Sequence, residues 1–580
     1  MTRINRFSYV AALLVVPAFG CSQPQAAPSP AVEPAAAPVA PAAPGADITP
    51  ADLNDRLTAY AHDSMMGRES GTLGNFMATE YIAAEAQRLG LEPAGENGTY
   101  FQTIPLVTTS RDSTSSLSSG DGDFALWTDF APLSPLFAGF FGFRAEGTLD
   151  DVEVVYGGRV GAETMLAPDQ MEGKLVVLGA PLGPDGSPHF QFWQPLGDGG
   201  AEGYSSAAAL AFVTLDISPP GLLGFFQQPG ESLDDQQDEA AENPLSMLIS
   251  ERVAAQLLGA STENAAVGTA GRTASLSMKL DKSPPEAPAR NVIAILRGSD
   301  PALRAQFLSI GAHNDHVGMT PNPQDHDSLR AFNAVVRPLG AENQQRPPTE
   351  EEIARIRAIL DSLQATRPAR LDSVFNGADD DGSGTVSVLE IAEKFALAPE
   401  RPRRSIIFVW QTAEEKGLYG AKYFTDHPTV PRDSIVANIN MDMVGRGRAD
   451  DVELGEPGYL QVIGSRRLST ELGDLVETVN TRGGWGMKFD YQYDADGHPS
   501  QFYCRSDHYM YARYGIPIVF FSTGSHRDYH QLTDEAEYID YEQLALVSNF
   551  AYDLALTLAN LDHRVVVDKP KPDPNAQCQQ

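Results

Sequence analysis

Apolar segments of strand length dominate the second half of this chain and alternate with segments that have the apolar spacing of helices. The predicted strands are rich in β-branched and aromatic residues and cover residues 292–296, 307–310, 405–410, 436–439, 460–463 and 516–521. The predicted helices begin near Ser383, Tyr419 and Tyr541. This alternation favours an α/β fold.

Histidine and acidic residues follow three of these strands at the point where each strand ends. His313 and Asp315 follow the second predicted strand, and Glu414 and Glu415 follow the third. Asp442 follows the fourth. Ligands of open α/β sheets collect at the carboxyl ends of the strands. We therefore expect these side chains to meet at one edge of the sheet.

Asp442 stands between Met441 and Met443, directly after an apolar strand, so its carboxylate is expected to be partly buried. A buried carboxylate needs a charged partner, and a metal ion can supply that charge. Read together with the acidic run 379–381 and with His530, these residues indicate a two-metal hydrolase.

The acidic run also allows a different interpretation. It fits the loop of an EF-hand calcium site, with the required glycine at Gly384 and with ligand positions at Asp379, Asp381, Ser383 and Glu390. The preceding stretch 375–378 has the composition of a turn rather than of a helix end, and the sequence has no second loop of this kind. A calcium-binding module is therefore kept as an alternative of another class.

The start of the chain has the features of an export signal. Residues 1–20 carry two arginines followed by an apolar run that is too short to span a bilayer. The four residues that end at Cys21 resemble a bacterial lipobox, although an ordinary signal peptide with a chance cysteine would look similar. Residues 21–47, which are rich in alanine and proline, are predicted to be an extended tether. These features predict an exported lipoprotein anchored to the cell envelope, at the outer membrane, in the periplasm or at the surface.

The chain carries 42 basic and 77 acidic residues, which give a formal net charge of −35. Such a surface repels nucleic acid and anionic lipid, and the sequence has no basic patch to offset it. We therefore expect no nucleic-acid partner, and contact with a membrane only through the lipid anchor at Cys21. The sequence leaves the oligomeric state open.

Three cysteines are too few for a disulfide scaffold. Cys504 and Cys578 could pair in an oxidising compartment, but Cys578 lies in a polar, proline-rich segment. We therefore expect no structural bridge, and we predict that residues 566–580 form a disordered tail.

The remaining sequence divides into regions that differ in composition and in the spacing of their apolar residues. Residues 48–106 have helical spacing, and residues 107–285 contain short β-like runs separated by glycine, proline and aspartate, which predicts an inserted β-rich domain. Residues 286–565 form the predicted catalytic domain. Within it, the polar and proline-rich insertion 319–374 contains one clear helix, which starts at a capping box formed by Thr349 and Glu352. We expect this insertion to lie over the site.

Five motifs occur in the order that is typical of one protein family. They are GAHNDHVG at 311–318, NGADDDGSG at 376–384, AEEKGLYG at 413–420, NMDMVG at 440–445 and DYH at 528–530. The chain resembles the di-zinc aminopeptidase and glutamate carboxypeptidase family of metallopeptidases. The resemblance implies an α/β fold with a mixed, mostly parallel sheet flanked by helices. Residues 48–106 are similar to the family's N-terminal helices, and residues 145–270 resemble a protease-associated domain more distantly.

The resemblance also implies a role for each matching residue. Five residues would bind two Zn²⁺ ions per chain: His313, Asp380, Glu415, Asp442 and His530, with Asp380 as the bridging ligand. Glu414 would be the general base, Asp315 would orient His313, and Tyr529 would donate a hydrogen bond to the developing oxyanion. By the same resemblance, three further histidines lie outside the ligand set: His316, His508 and His526.

The implied activity is removal of N-terminal residues from peptides. Within the same family, a carboxypeptidase that reads an acidic C-terminus is the alternative, and basic residues such as Arg446 and Arg448 would suit it. Outside the enzyme class, the alternatives are a non-catalytic binding relative and the calcium-binding module.

Overall fold

The computed structural model of the protein describes residues 47–580, except for 121, 184, 194–201, 235–242, 345, 453, 575 and 577. The predicted signal peptide, the Cys21 anchor and residues 21–46 of the predicted tether lie outside the described residues. The described chain divides into two compact units, one formed by residues 105–284 and the other by residues 47–104 and 285–580. Among the described helices, none combines the length and the apolar character that a membrane span requires.

The helices and strands are numbered along the chain. Residues 47–104 form α1 (Pro50–Tyr60), α2 (Leu73–Arg88), β1 (Glu92–Pro93) and β2 (Phe101–Thr103). Residues 105–284 form β3 (Leu106–Arg111), β4 (Ser116–Ser119), β5 (Gly122–Phe124), β6 (Phe130–Pro132), α3 (Pro135–Phe140), β7 (Gly147–Arg159), α4 (Pro168–Met171), β8 (Leu175–Gly179), β9 (Ala209–Val213), α5 (Pro220–Gln227), β10 (Gly230–Leu233), β11 (Leu245–Ile249), α6 (Glu251–Leu258), β12 (Ala270–Met278) and β13 (Leu280–Ser283). Residues 285–580 form β14 (Arg290–Leu296), β15 (Phe307–His313), β16 (Met319–Asp325), α7 (His326–Val336), α8 (Glu350–Gln364), β17 (Leu371–Val374), α9 (Gly384–Leu397), β18 (Ser405–Gln411), α10 (Tyr419–Asp426), β19 (Ile435–Met441), β20 (Tyr459–Ile463), α11 (Thr470–Gly483), β21 (Lys488–Asp490), α12 (His508–Ala512), β22 (Ile518–Ser522) and α13 (Tyr541–Ala559).

The unit formed by residues 105–284 is β-rich. Its larger sheet has eight strands in the order β5-β4-β12-β7-β8-β9-β11-β6, and its smaller sheet has three in the order β10-β3-β13. One of its cores is strongly aromatic and includes Phe137, Phe143, Phe192, Trp193 and Phe212. The resemblance of this unit to a protease-associated domain stays a prediction.

The other unit is built on a nine-stranded sheet in the order β1-β14-β18-β15-β19-β22-β20-β21, with β2 also paired to β14. The strands β18, β15, β19 and β22 are parallel neighbours at the centre of this sheet. The pairings of β14 with β18 and of β20 with β22 are antiparallel. All six predicted strands belong to this sheet, and the mixed α/β fold is confirmed.

Helices cover both faces of this sheet because its strands are apolar on both sides. In β18, Phe408 and Trp410 face a core shared with α1, α2, α9, α11 and α13. Their neighbours Ile407 and Val409 face a second core, shared with α10 and α12. The helices predicted near Ser383, Tyr419 and Tyr541 are α9, α10 and α13.

The insertion 319–374 contains more structure than predicted. The predicted helix is α8, and both hydrogen bonds of its capping box are present. A second helix, α7, precedes it and is capped by the Asp325 side chain. The apolar pattern did not indicate α7 because its buried face includes His326, Asp327 and Asn333. The arginine that pairs with Asp327, Arg367, comes from beyond α8, so sequence spacing does not show why this polar face is buried.

The prediction of an unpaired Cys578 in a disordered tail is wrong for the described residues of 566–580. Cys504 and Cys578 form a disulfide bond. The Gln580 side chain is buried, and its amide nitrogen donates to the carbonyl oxygens of Tyr493 and Ala495. A polar segment can thus be ordered by hydrogen bonds to main-chain groups that are remote in sequence, and the composition of the segment does not reveal them.

Candidate metal centre

Each predicted ligand lies at a strand end of the sheet unit or in one of its turns and loops. His313 is the last residue of β15, and Asp442 directly follows β19. Asp380 lies in the turn Ala378–Ser383, which leads into α9, and its own backbone is not helical. Glu415 follows β18, and His530 lies in the loop between β22 and α13. Since the central strands are parallel, their carboxyl ends bring these loops to one edge of the sheet.

The five side chains meet in two groups that share Asp380. In the first group, His313 Nε2 lies 3.1 Å from Asp380 Oδ1 and 3.7 Å from Asp442 Oδ1. In the second group, His530 Nε2 lies 2.9 Å from Asp380 Oδ2 and 3.0 Å from Glu415 Oε2. The two oxygens of one buried carboxylate thus face two separate imidazoles.

His316 is placed differently from its sequence-based interpretation. Its Nδ1 atom lies 2.8 Å from Glu415 Oε1 and 3.7 Å from Asp380 Oδ2, so the ring belongs to the second group. His316 is fully buried. Its position three residues after His313, just beyond the strand, was the only signal for this placement in the sequence.

The other two histidines lie apart from both groups. His508 is buried, stacks on Phe520, and has its pKa lowered by burial to about 3. His526 Nε2 lies 3.1 Å from Asp379 Oδ2. The calcium-loop interpretation of 379–390 is not supported, because Asp381 accepts from the amides of His313 and Gly384 while Glu390 pairs with Arg56.

Asp315 contacts both a predicted ligand and the predicted base. Its carbonyl oxygen lies 3.1 Å from His313 Nδ1, whereas its carboxylate Oδ1 lies 3.8 Å from the same atom. That Oδ1 also accepts a 3.1 Å hydrogen bond from the amide of Glu414. Asp315 therefore links the strand end that carries His313 to the loop that carries Glu414 and Glu415.

Glu414 lines a cavity of about 390 Å³ together with Asp380, Glu415, Asp442 and His530. Burial, with repulsion from Asp442 and Glu415, raises the pKa of Glu414 well above its usual value. Burial lowers the pKa of His313, but the carboxylates of Glu414 and Asp442 outweigh burial and raise it well above its usual value. Strongly shifted pKa values of neighbouring groups in one cavity are typical of catalytic sites.

The wall of the cavity combines apolar side chains with one phenol. Leu418, Met443, Phe502 and Phe520 line it, as does Tyr529. Burial raises the pKa of Tyr529 well above its usual value, so the hydroxyl stays protonated at neutral pH and can donate a hydrogen bond.

The insertion packs against the loop that carries Tyr529 and His530. The amide of Ala341 donates to the carbonyl of Tyr529 at 3.1 Å, and Arg330 pairs with Asp528 at 2.8 Å. Glu342 pairs with Arg505, which lines the cavity. The insertion therefore supports one wall of the site.

Three residues at this edge have left-handed backbone conformations although none is glycine. They are Ala413 at φ 55°, Met443 at φ 58° and His530 at φ 54°. Each is a ligand or lies next to a ligand or to the base. Such conformations are costly and tend to be retained at functional sites.

A buried cation holds the loops of the site together. Arg446 has no exposed surface and pairs with Asp451, Asp528 and Asp534 at 3.1, 3.1 and 3.4 Å. Asp534 Oδ2 in turn accepts from the amides of Asp379 and Asp380 at 2.9 and 3.1 Å. Arg446 thus connects the turn of the shared carboxylate to the segment that follows Asp442.

The residues present fit a divalent metal. Carboxyl groups of Asp380, Glu414, Glu415 and Asp442 crowd together in a largely buried space, where their charge requires a cation. The mixture of imidazole and carboxylate donors suits zinc. A third cluster, formed by His326, Asp372 and Glu535, differs, because the Arg370 guanidinium lies 3.1 and 2.9 Å from the two ring nitrogens of His326 and already supplies the positive charge.

Comparisons with known proteins agree with this chemistry. Residues 291–555 match Peptidase family M28. Leupeptin-inactivating enzyme 1 of Streptomyces exfoliatus is 30% identical over 173 residues, which are 29% of this chain and 34% of that protein. Leucine aminopeptidase 1 of Paracoccidioides brasiliensis strain Pb03 is 31% identical over 193 residues, which are 32% of this chain and 47% of that protein. The chain thus spans less than half the length of these curated relatives.

Among solved structures, an aminopeptidase from Aneurinibacillus sp. strain AM-1 is similar with a TM-score of 0.44 and 15% identity, covering 90% of this chain and 97% of that one. The family match includes all five predicted ligands and Glu414. The part of the chain that holds the proposed site, residues 291–555, is therefore similar to Peptidase family M28.

Proposed function

We propose that the protein is a metal-dependent aminopeptidase that binds two zinc ions through His313, Asp380, Glu415, Asp442 and His530. The observation that carries the proposal is that the two oxygens of Asp380 face His313 and His530 separately. A carboxylate in this position suits a bridging ligand. Bound zinc supplies positive charge that acidifies water and stabilises negative charge developing on the scissile carbonyl oxygen.

Two side chains of the cavity would handle protons. Glu414 takes a proton from the attacking water and passes it to the leaving amine. Its neighbour Glu415 belongs to the second group of ligands, so the main chain holds the base beside the metal site. The Tyr529 hydroxyl donates a hydrogen bond toward the developing oxyanion.

The charge of the cavity favours a free N-terminus over a free C-terminus. Its carboxyl groups attract an ammonium group, whereas the carboxypeptidase alternative requires a cation that can reach the substrate. Arg446 is fully buried among three aspartates and cannot do so. Arg448 is exposed but pairs with Asp540 at 2.9 Å. Arg505 lines the cavity, but Glu342 neutralises its charge at 2.6 Å. The names of the leucine aminopeptidase relatives and the apolar wall of the cavity support an apolar N-terminal residue as substrate.

The experiment compares three leucine-containing dipeptides with the purified, zinc-loaded protein. One has free ends, one has an acetylated amine and one has an amidated carboxyl group. The proposal expects cleavage of the free and the amidated dipeptides and no cleavage of the acetylated one. Cleavage of the acetylated dipeptide alone would identify a carboxypeptidase. Zinc analysis by mass spectrometry should give about two ions per chain, and calcium without zinc would refute the metal assignment.

We also propose that Cys21 carries a lipid that anchors the enzyme to the cell envelope, and the signal-like segment 1–20 supports this. Radiolabelled fatty acid should be incorporated into the wild-type chain expressed in a bacterial host and not into Cys21→Ala. Equal labelling of both chains would exclude this anchor.

A further inference from the structure

The segment 502–507 forms a wall of the cavity and touches two residues of the proposed mechanism. Phe502, Cys504, Arg505 and Ser506 line the cavity. The Ser506 hydroxyl donates a 2.7 Å hydrogen bond to Asp442 Oδ2. Asn440 Nδ2 donates to the same hydroxyl oxygen at 3.0 Å, which fixes its orientation.

The same wall also reaches Tyr529. Arg505 Nη2 donates a 3.3 Å hydrogen bond to the Tyr529 hydroxyl oxygen. The same nitrogen lies 2.6 Å from Glu342 Oε1. The segment 502–507 thus places one partner on a proposed zinc ligand and another on the proposed oxyanion donor.

Cys578 and Gln580 contact this wall segment and the residues just before it. Cys578 is bonded covalently to Cys504. The Gln580 side-chain oxygen accepts a 3.1 Å hydrogen bond from the amide of Tyr503, and the Gln580 carbonyl accepts one of 2.7 Å from the amide of Gly497. The wall segment has little regular structure of its own, since only Phe502–Cys504 forms a short 3₁₀ turn. Much of its order therefore comes from these contacts.

We propose that Cys578 and Gln580 act together as a positioning strap for the active site. Through the Cys504–Cys578 bond and the Gln580 contacts, the strap fixes the wall segment, and the wall in turn fixes Ser506 on Asp442 and Arg505 on Tyr529. Cys578 and Gln580 are accordingly positioning residues. This inference rests on the proposed function for its effect on catalysis, but its effect on the wall and on zinc binding can be measured without any substrate.

The test compares the full chain with Cys578→Ser and with Gln580→Ala. Amide hydrogen exchange should be faster in peptides that cover 497–506 in both variants. Cys578→Ser releases the segment that carries Gln580, and Gln580→Ala removes the side-chain oxygen that accepts from the amide of Tyr503. Zinc affinity, measured by competition with a chelator, should fall by about 10-fold because Asp442 loses a fixed partner. With a leucine substrate, kcat should fall more than KM changes, since Tyr529 and Asp442 act on the reacting atoms.

A matched control changes a side-chain contact that lies shortly before Cys578 in the sequence. Asp568 Oδ1 accepts from the amide of Thr470 at 2.9 Å, and neither residue lines the cavity. Asp568→Ala should leave exchange in 497–506, zinc affinity and kcat at wild-type values. The double variant Cys504→Ser, Cys578→Ser should behave like Cys578→Ser, which excludes an effect of a free thiol.

Wild-type exchange and zinc affinity in both Cys578→Ser and Gln580→Ala would overturn the strap. If Cys578→Ser does not fold, Gln580→Ala gives the zinc comparison, and the folded wild-type chain treated with dithiothreitol gives the exchange comparison. If the wild-type chain cleaves no peptide, the proposed function fails, while exchange and zinc affinity still decide whether the strap exists.

Discussion

His316 Nδ1 lies 2.8 Å from Glu415 Oε1, and His530 Nε2 lies 3.0 Å from Glu415 Oε2. Glu415 therefore contacts two imidazoles. Only His530 corresponds to a ligand in the family that the chain resembles. A ring that donates a hydrogen bond to a metal-binding carboxylate orients that ligand and raises affinity without touching the ion.

We therefore expect His316→Ala to keep two zinc ions per chain but to bind one of them about 10- to 100-fold more weakly. His530→Ala should lose one zinc ion at ordinary zinc concentrations. Zinc analysis after dialysis against graded chelator concentrations checks this. Loss of one ion from His316→Ala to the same degree as from His530→Ala would identify His316 as a ligand.

Substitutions of the two adjacent glutamates should distinguish the proposed general base from the proposed zinc ligand. Glu414→Gln removes the group that accepts the proton from water, so turnover should fall by about 10²–10⁴-fold while zinc content stays unchanged. Glu415→Gln should lower zinc content as well as turnover. The measurement is kcat together with zinc per chain for both variants, and wild-type turnover in Glu414→Gln would contradict the assignment.

Arg446 should be essential for stability rather than for substrate binding. Arg446→Met leaves Asp451, Asp528 and Asp534 without their shared cation, and breaking such a buried pair costs about 3–5 kcal/mol. The free energy of unfolding from urea titration checks this.

Arg448→Met is the control, because the Arg448 side chain is 60% exposed and pairs only at the surface with Asp540. An exposed pair contributes about 0–1 kcal/mol. A carboxypeptidase that used either arginine for substrate would instead show a raised KM with unchanged stability.

The stability of the protein should depend on the pH through Glu535. Burial, with the nearby carboxylates of Asp372 and Asp63, raises the pKa of Glu535 from 4.5 to about 7. Between these values the folded chain binds more protons than the unfolded chain, so the free energy of unfolding falls as the pH rises. Glu535→Gln removes this loss and should be more stable than the wild type by about 1–3 kcal/mol at pH 8, with a smaller difference at pH 5.

The pKa of Glu537 is shifted in the opposite direction to that of Glu535. Burial opposes the shift, but Tyr538 and Arg370 outweigh it and lower the pKa of Glu537. Its stabilisation is therefore present at neutral pH and is lost as the pH falls below its usual pKa. Urea titrations at pH 5 and pH 8 should show that Glu537→Gln gains no stability at pH 8, whereas equal gains in both variants would refute this account of Glu535.

Much of the catalytic unit could be predicted from local sequence. The strands that carry His313 and Asp442 are continuous apolar runs, so their ends could be placed, and Thr349 and Glu352 form the capping box that their spacing predicts. Helix α7 was missed because its buried face is polar, and the partners of that face, such as Arg367, come from elsewhere in the chain.

The order of the strands and helices, and the residue types at each strand end, follow from the sequence. The spacing of apolar residues and the glycines and prolines that end each apolar run are local properties. Tertiary structure alone decided that His316 lies against Glu415, that Arg446 is buried among three aspartates, and that Cys578 reaches Cys504. Each of these depends on the packing of segments remote in sequence, where burial and distance assign a partner that composition cannot.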